Sequence, residues 1–108
     1  MAKVILTMKA HRGKRQLYMD GRLKFGARVA QKTVRTIEKI QKNLELFPNM
    51  GYREPLLQDS ITTYRTIPIN KRFKIIYWYN EAKDMVVIED IWDMRRAPQN
   101  LKKRIITN

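Results

Sequence analysis

The sequence contains no cysteine, one histidine and only four glycines in 108 residues. Without cysteine there is no disulfide and no thiol nucleophile, and the common zinc-finger ligand sets are excluded. A single histidine excludes a paired-histidine metal site. A Ser/His/Asp triad would have to join His11 to the only serine, Ser60, at a spacing that fits no nucleophile-elbow motif. The glycines form neither GxGxxG nor GxxxxGK, so nucleotide-binding loops of those kinds are excluded.

Acidic residues and long apolar runs are also scarce. The opening segment has an apolar run of only residues 4–6 before basic residues resume, so it resembles neither a signal peptide nor a membrane span. With no cysteine and no such segment, we expect a cytoplasmic protein that does not contact membranes.

What the sequence has in excess is positive charge, with 23 Lys and Arg against 10 Asp and Glu, a net charge of +13. Residues 1–47 hold 12 basic and 3 acidic side chains, residues 48–93 hold 6 and 7, and residues 94–108 hold 5 and none. This distribution favours a polyanion or an acidic protein as partner, although any one Lys or Arg could serve solubility alone.

The first half of the chain predicts one strand and two helices, within what we expect to be a single domain over residues 1–108. Residues 3–8 include the β-branched pair Val4 and Ile5 and predict a short strand. Residues 9–22 predict a helix with a weak pattern, interrupted by two glycines. A clear amphipathic helix follows Gly26 and ends near Phe47, because Pro48 comes next. Its apolar stripe comprises Ala30, Val34, Ile37, Ile40, Leu44 and Phe47.

The second half predicts a three-stranded meander over residues 64–69, 73–79 and 85–92, each rich in aromatic and β-branched residues. Residues 52–62 predict a polar connection without regular structure. Pro98 suits the first position of a short C-terminal helix through Leu101 and Ile105. The predicted fold is therefore α+β: a small antiparallel sheet in the order β-α-α-β-β-β, with the helices packed on one face and the other face partly open.

After these exclusions, the candidate functional residues are the basic side chains on the strands and at the strand ends. Arginine grips phosphate oxygens in a bidentate manner, and lysine provides a point charge, but charges at strand ends also discourage aggregation. Alternation along the last strand places Glu89 and Asp93 on one face, where pairing with neighbouring cations is favoured over metal binding. The cations are Arg65, Lys71, Arg72, Lys74, Arg95 and Arg96.

Four strings, in their order and spacing over about residues 3–105, resemble the RelE/ParE superfamily of bacterial type II toxins. They are LFPNMG at the end of the long helix, YRTIP and FKIIY on the next two strands, and VIEDIWD followed by Arg95-Arg96. The resemblance implies an inhibitory antitoxin, a small acidic or amphipathic protein, as partner. It also implies one of two targets: mRNA on the ribosome, which the RelE-like branch cleaves, or DNA gyrase, which the ParE-like branch poisons.

Carried over by position, the resemblance implies that Arg65, Lys74 and Arg95 stabilise a phosphate as catalytic residues. Lys71, Arg72 and Arg96 would then bind the RNA backbone, and no metal or cofactor is expected. We therefore predict a ribosome-dependent mRNA endoribonuclease, with Glu89, Asp93 or Lys74 as candidate bases. The alternatives are a non-enzymatic gyrase inhibitor and a degenerate toxin that only binds partners. The tail favours the gyrase inhibitor, because it lacks the Tyr or His-Tyr pair that often ends the ribonucleases.

Overall fold

The structure, a computed structural model, describes residues 1–106, apart from the side chain of Ile106. It confirms the predicted α+β class. None of the helices in this range is both long and apolar enough to cross a membrane. The elements in chain order are β1 (Lys3–Leu6), α1 (Met8–Phe25), α2 (Ala27–Leu46), β2 (Tyr52–Arg53), a 3-10 helix (Pro55–Leu57), β3 (Tyr64–Pro68), β4 (Phe73–Asn80), β5 (Met85–Asp93) and α3 (Pro98–Ile106).

The five strands form one mixed sheet in the order β1-β5-β4-β3-β2. The meander β3-β4-β5 is antiparallel, as predicted, but β1 pairs with β5 in the parallel direction, with Lys3 opposite Met85. Tight turns force antiparallel neighbours, whereas β1 and β5 are far apart in the chain and carry no such constraint. The predicted connection after α2 contains β2, whose Tyr52 lies opposite Thr66 at the sheet edge.

The helices α1 and α2 form an antiparallel hairpin joined by Gly26. Thr7 caps α1, since its hydroxyl accepts a hydrogen bond from the backbone N–H of Ala10 at 3.1 Å. Gly26 has a φ of +92°, a backbone conformation that side chains rarely adopt, and it separates the two helices in a single residue. The glycines at 13 and 21 do not interrupt α1, because the packing of the helix outweighs their low helix propensity.

The main core lies between this hairpin and one face of the sheet, the inner face. Of the apolar residues predicted to form one side of α2, Ala30, Ile37, Ile40 and Leu44 are buried and Val34 is partly buried, which confirms this side of the helix as core. Phe47 is 63% exposed because the helix ends at Leu46, one residue earlier. The sheet contributes Ile75, Tyr77, Val86, Ile88 and Ile91 to the same core.

The third helix lies on the opposite, outer face of the sheet. The expectation that all helices share one face therefore applies to α1 and α2 only. Leu101 of α3 is fully buried against Leu57, Ile76 and Trp92. These outward-facing apolar residues offer α3 a second surface to bury, which explains its position. Arg104 of α3 also pairs with the buried carboxylate of Asp90 on β5.

Candidate functional site

The turn between β3 and β4 lies beside the segment that follows β5. In the antiparallel pairing of β4 and β5, Phe73 at the start of one strand is opposite Asp93 at the end of the other. The backbone N–H of Met94 also donates to the carbonyl of Arg72 at 2.7 Å. Four of the six predicted cations are thereby brought to one end of the sheet, and we refer to this group as the sheet-end cluster. It comprises Lys71, Arg72, Arg95 and Arg96.

Asp93 organises the sheet-end cluster by accepting hydrogen bonds from two guanidinium groups. Arg72 donates to Oδ2 through Nε at 3.3 Å and Nη2 at 3.2 Å, and Arg95 donates through Nε to Oδ1 at 3.4 Å and through Nη2 to Oδ2 at 3.3 Å. Burial raises the pKa of the Asp93 carboxyl, but hydrogen bonds from the Arg95 backbone and from both guanidinium groups hold the pKa below its ordinary value. The carboxylate therefore stays charged.

Two arginines of the cluster also lie over aromatic rings. The guanidinium of Arg72 lies 4.7 Å from the centroid of Phe73, and that of Arg96 lies 5.0 Å from the centroid of Trp92. Such cation–π contacts fix the planes of the guanidinium groups without using up their hydrogen-bond donors. Arg96 is exposed, so its donors face the solvent. One carboxylate among four cations leaves the cluster with a net positive charge that suits a phosphate group.

Lys74 is held away from solvent on the outer face. It lies opposite Trp92, and its ammonium group forms an ion pair with Glu54, whose side chain is fully buried. Glu54 also accepts a hydrogen bond from the backbone N–H of Leu56 at 3.1 Å and so caps the 3-10 helix. Glu54 was not among the site residues predicted from the sequence. The signal that could have found it is the capping pattern of a carboxylate before Pro55.

Arg65 lies on the other face of the sheet from Lys74. It is opposite Tyr77, a residue of the inner core, and its Nη1 donates to the carbonyl of Gly51 at 2.8 Å. The predicted trio of Arg65, Lys74 and Arg95 therefore does not surround one phosphate. Tyr77, the partner of Arg65, follows Lys74 by three residues on β4. Side chains an odd number of residues apart on a strand point to opposite faces, so Arg65 and Lys74 are separated by the sheet.

A β-bulge in β5 separates the two carboxylates that the sequence placed on one face. Ile76 lies opposite Asp90 and the next residue, Tyr77, lies opposite Ile88, so Glu89 is an extra residue in the strand. Glu89 accepts a hydrogen bond from Trp78 Nε1 at 2.9 Å on the outer face, whereas Asp93 lies opposite the inward-facing Phe73. Within residues 1–106, no group of three or more His, Cys, Asp or Glu side chains could hold a metal ion.

A groove of about 510 Å³ runs between the helical hairpin and the sheet-end cluster. Its apolar lining includes Leu17, Phe25, Val29, Ala30 and Phe73, and three of the four cluster cations stand at its rim together with Lys24. Phe25 and Val29 are 66% and 47% exposed, which is unusual for residues of their type. The groove therefore combines an uncovered apolar surface with a basic border.

Solved structures of other proteins share this architecture. A "chromosomal ParDE TA system from P. aeruginosa" superposes with a TM-score of 0.69 and 21% sequence identity, covering 86% of this chain and 96% of that one. A "metal-bound toxin from Helicobacter pylori" superposes with a TM-score of 0.65 and 12% identity, covering 88% and 97%. No family model matches the sequence, and no curated protein matches it significantly. At these identities, the similarity establishes the fold.

Proposed function

We propose that this protein is the toxin of a toxin–antitoxin system and that it engages a nucleic-acid target through the sheet-end cluster. The observation that carries the proposal is the convergence of Lys71, Arg72, Arg95 and Arg96 at one end of the sheet, with Asp93 orienting two of the guanidinium groups. Oriented guanidinium groups with free donors are suited to phosphate oxygens. One similar structure is described as a ParDE TA system and another as a toxin, which supports a toxin role in the cytoplasm for this chain.

For the activity we propose RNA cleavage, in which a ribose 2′-OH gives its proton to a base and attacks the adjacent phosphorus while the P–O5′ bond breaks. The products are a 2′,3′-cyclic phosphate and a 5′-hydroxyl, whose oxygen receives a proton from an acid. Arg95 and Arg96 would stabilise the developing negative charge. Of the candidate bases, Asp93 is a weak one, because the hydrogen bonds from two arginines help to hold its pKa below the ordinary value, and Glu89 accepts a hydrogen bond from Trp78 through Oε1. The contact of Lys74 with Glu54 instead offers an ammonium and a carboxylate together, a pair able to donate and accept a proton.

A non-enzymatic inhibitor of DNA gyrase is the second candidate, and one observation favours it. The Lys74–Glu54 pair is buried, with the Lys74 side chain only 12% exposed, whereas Arg95 and Arg96 are exposed. Inhibition by binding would need only the exposed cations and not the buried pair. The two candidates therefore make different demands on the same residues.

For the antitoxin we propose that the groove beside the cluster receives an apolar segment flanked by acidic residues. The exposed Phe25 and Val29 would be covered by the apolar segment, and Lys24 and Lys71 would pair with the acidic flanks. An antitoxin bound there would contact Arg72 and Arg95 and block the target from the cluster. A small acidic protein encoded beside this one is the natural candidate.

The proposal predicts growth arrest when the free protein is expressed in bacteria, and relief when the adjacent small acidic protein is co-expressed. Normal growth at high soluble expression would remove the toxin function. Primer extension on ribosome-bound mRNA and a DNA-damage reporter, run on the same cultures, separate the two activities. We expect mRNA cuts without DNA damage, and cleavage tenfold to a thousandfold slower, an order-of-magnitude expectation, for Arg95→Ala/Arg96→Ala. Lys83→Ala, in the exposed β4–β5 turn, is the matched control and should cut like the wild type.

The double variant Glu54→Gln/Lys74→Met tests the chemistry. If the protein is a ribonuclease, this variant should fold and bind but lose cleavage. If the protein is a gyrase inhibitor, wild type and double variant should cause equal DNA damage and no mRNA cuts. That second outcome would contradict the proposed RNA cleavage and leave the toxin function standing.

A further inference from the structure

The helix α2 carries a second concentration of positive charge on the side that faces away from the core. The cations step along the helix by 4, 3, 4 and 3 residues, so they fall within a sector of about 80° on a helix of about 100° per residue. The buried residues Ile37 and Leu44 lie on the opposite side of the helix. We call this row the α2 stripe; it comprises Arg28, Lys32, Arg35, Lys39 and Lys42.

All five side chains of the α2 stripe are exposed, and among the described residues none forms an ion pair or a hydrogen bond through its side chain. The nearest carboxylate on the helix, Glu38, points toward α1, where it lies 3.9 Å from Lys14. Like charges three and four residues apart destabilise a helix. A helix face that served solubility alone would normally carry both positive and negative side chains. The single sign over four turns therefore indicates a ligand of opposite charge.

We propose that the α2 stripe binds the phosphate backbone of a nucleic-acid duplex. The stripe spans 15 residues, or 14 steps and about 21 Å, which matches the axial length of about six phosphates on one strand. Its sector contains no apolar residue between Arg28 and Lys42, the flanking residues Gln31 and Asn43 are polar, and the exposed Leu46 lies in the sector only beyond the last cation. A protein partner or a lipid surface would need an apolar anchor, whereas phosphates need only charge. The surface is separate from the sheet-end cluster and does not depend on the proposed toxin activity.

The test measures binding of a 20-base-pair DNA duplex to the purified protein at several salt concentrations. Each phosphate contact contributes about 0.9 to the slope of log affinity against log salt. The variant Arg35→Gln/Lys39→Gln/Lys42→Gln removes three contacts, so we expect the slope to become shallower by about 2.7. The matched control Lys3→Gln/Arg53→Gln/Lys83→Gln removes the same charge from exposed sites elsewhere. Its slope should stay within about 0.5 of the wild type, as expected where no phosphate contact is lost.

The same comparison in an Arg95→Ala/Arg96→Ala background keeps this proposal apart from the proposed function. An equal loss of slope in that background supports a stripe that acts independently of the cluster, whatever the toxin activity proves to be. Equal losses for the stripe and control variants would show that only net charge matters and would overturn the proposal. Loss of poly-glutamate binding with unchanged duplex binding would assign the stripe to an acidic protein and would also overturn it. Circular dichroism should show an unchanged or higher melting temperature for the stripe variant.

Discussion

Asp93 is the residue on which the geometry of the sheet-end cluster depends. Its carboxylate receives both guanidinium groups and the backbone N–H of Arg95, at 3.0 Å for the last. Removing the carboxylate would leave Arg72 and Arg95 free to rotate and to repel each other. The side chain therefore links the stability of the strand end to the arrangement of the proposed target-binding cations.

The lowered pKa of Asp93 predicts a specific pH dependence. A carboxyl whose pKa is lower in the folded protein stabilises the fold above its unfolded value of 3.8 and loses this contribution as the pH falls through the folded value. We therefore expect the wild type to be more stable than Asp93→Asn at pH 6, with the difference shrinking below pH 3.8. Urea unfolding of both proteins at pH 6 and at low pH measures this, and a difference that does not change with pH would contradict it.

The buried ion pair on the outer face makes a second prediction at this scale. Lys74→Met leaves the Glu54 carboxylate buried without its partner, so we expect a loss of about 3–5 kcal/mol in unfolding free energy. The double variant Glu54→Gln/Lys74→Met removes both charges and should regain most of that loss. Denaturant unfolding measures both variants.

An exposed ion pair provides the control for this experiment. Lys102 pairs with Asp59 across two largely exposed side chains, so Lys102→Ala should leave the unfolding midpoint nearly unchanged. If Lys74→Met behaved like Lys102→Ala, the outer-face pair would not be buried in solution. The result also matters for activity assays. If Lys74→Met lost cleavage, the loss could come from unfolding as well as from removal of a catalytic group.

Part of the site could be predicted from the residues, and part could not. The meeting of Lys71 and Arg72 with Arg95 and Arg96 follows from a meander, because both segments adjoin the same pair of strand ends. The separation of Arg65 from Lys74 depends on the hairpin register, and a shift of one residue moves a side chain to the other face. The residues of the turn between β3 and β4 do not by themselves determine the register of this hairpin.

The turn after α2 is fastened to the sheet by a glycine. The backbone N–H of Gly51 donates to the Tyr77 hydroxyl at 2.9 Å, and its carbonyl accepts from Arg65. A Cβ at this position would lie 2.8 Å from the carbonyl oxygen of Thr66 and 2.8 Å from the Tyr77 ring. Both neighbours belong to packed strands, so they cannot move aside easily.

We therefore expect Gly51→Ala to destabilise the protein by about 1–3 kcal/mol through overpacking. Gly21→Ala is the matched control, because its Cβ would meet Ala30 at 3.5 Å, an ordinary contact. Within a helix this change should stabilise the protein by up to about 1 kcal/mol. Thermal unfolding should give a lower melting temperature for Gly51→Ala and a higher one for Gly21→Ala, and shifts of the same sign would contradict the close packing around Gly51.

At the scale of elements, long periodic segments were predictable and short or irregular ones were not. The buried apolar side of α2 and the three meander strands could be predicted directly from the spacing of apolar residues. The two-residue strand β2 is too short to show alternation, and the bulge at Glu89 leaves no mark in the pattern of residue types. The position of α3 on the outer face depends on Ile76 and Trp92 pointing outward, which is a tertiary property.

For the molecule as a whole, the net charge of +13 is divided between surfaces on different elements. The sheet-end cluster is organised by Asp93 and aromatic rings, whereas the α2 stripe is a row of solvated cations without partners among the described residues. Oriented guanidinium groups suit one particular phosphate, and a row of flexible side chains suits a backbone of any sequence. The two surfaces therefore fit a protein that first associates with a nucleic acid and then engages one position on it.

The parallel pairing of β1 with β5 has a consequence for how the protein is made. β1 is synthesised well before the strand that it pairs with, at residues 85–93. A chain interrupted before Met85 contains both long helices and strands β1 to β4, but it lacks the strand that lies between β1 and β4 in the sheet. Contacts of such long sequence separation form late in folding. The sheet end that carries the cluster is thus completed only after β5 has been synthesised and has paired with β4 and β1.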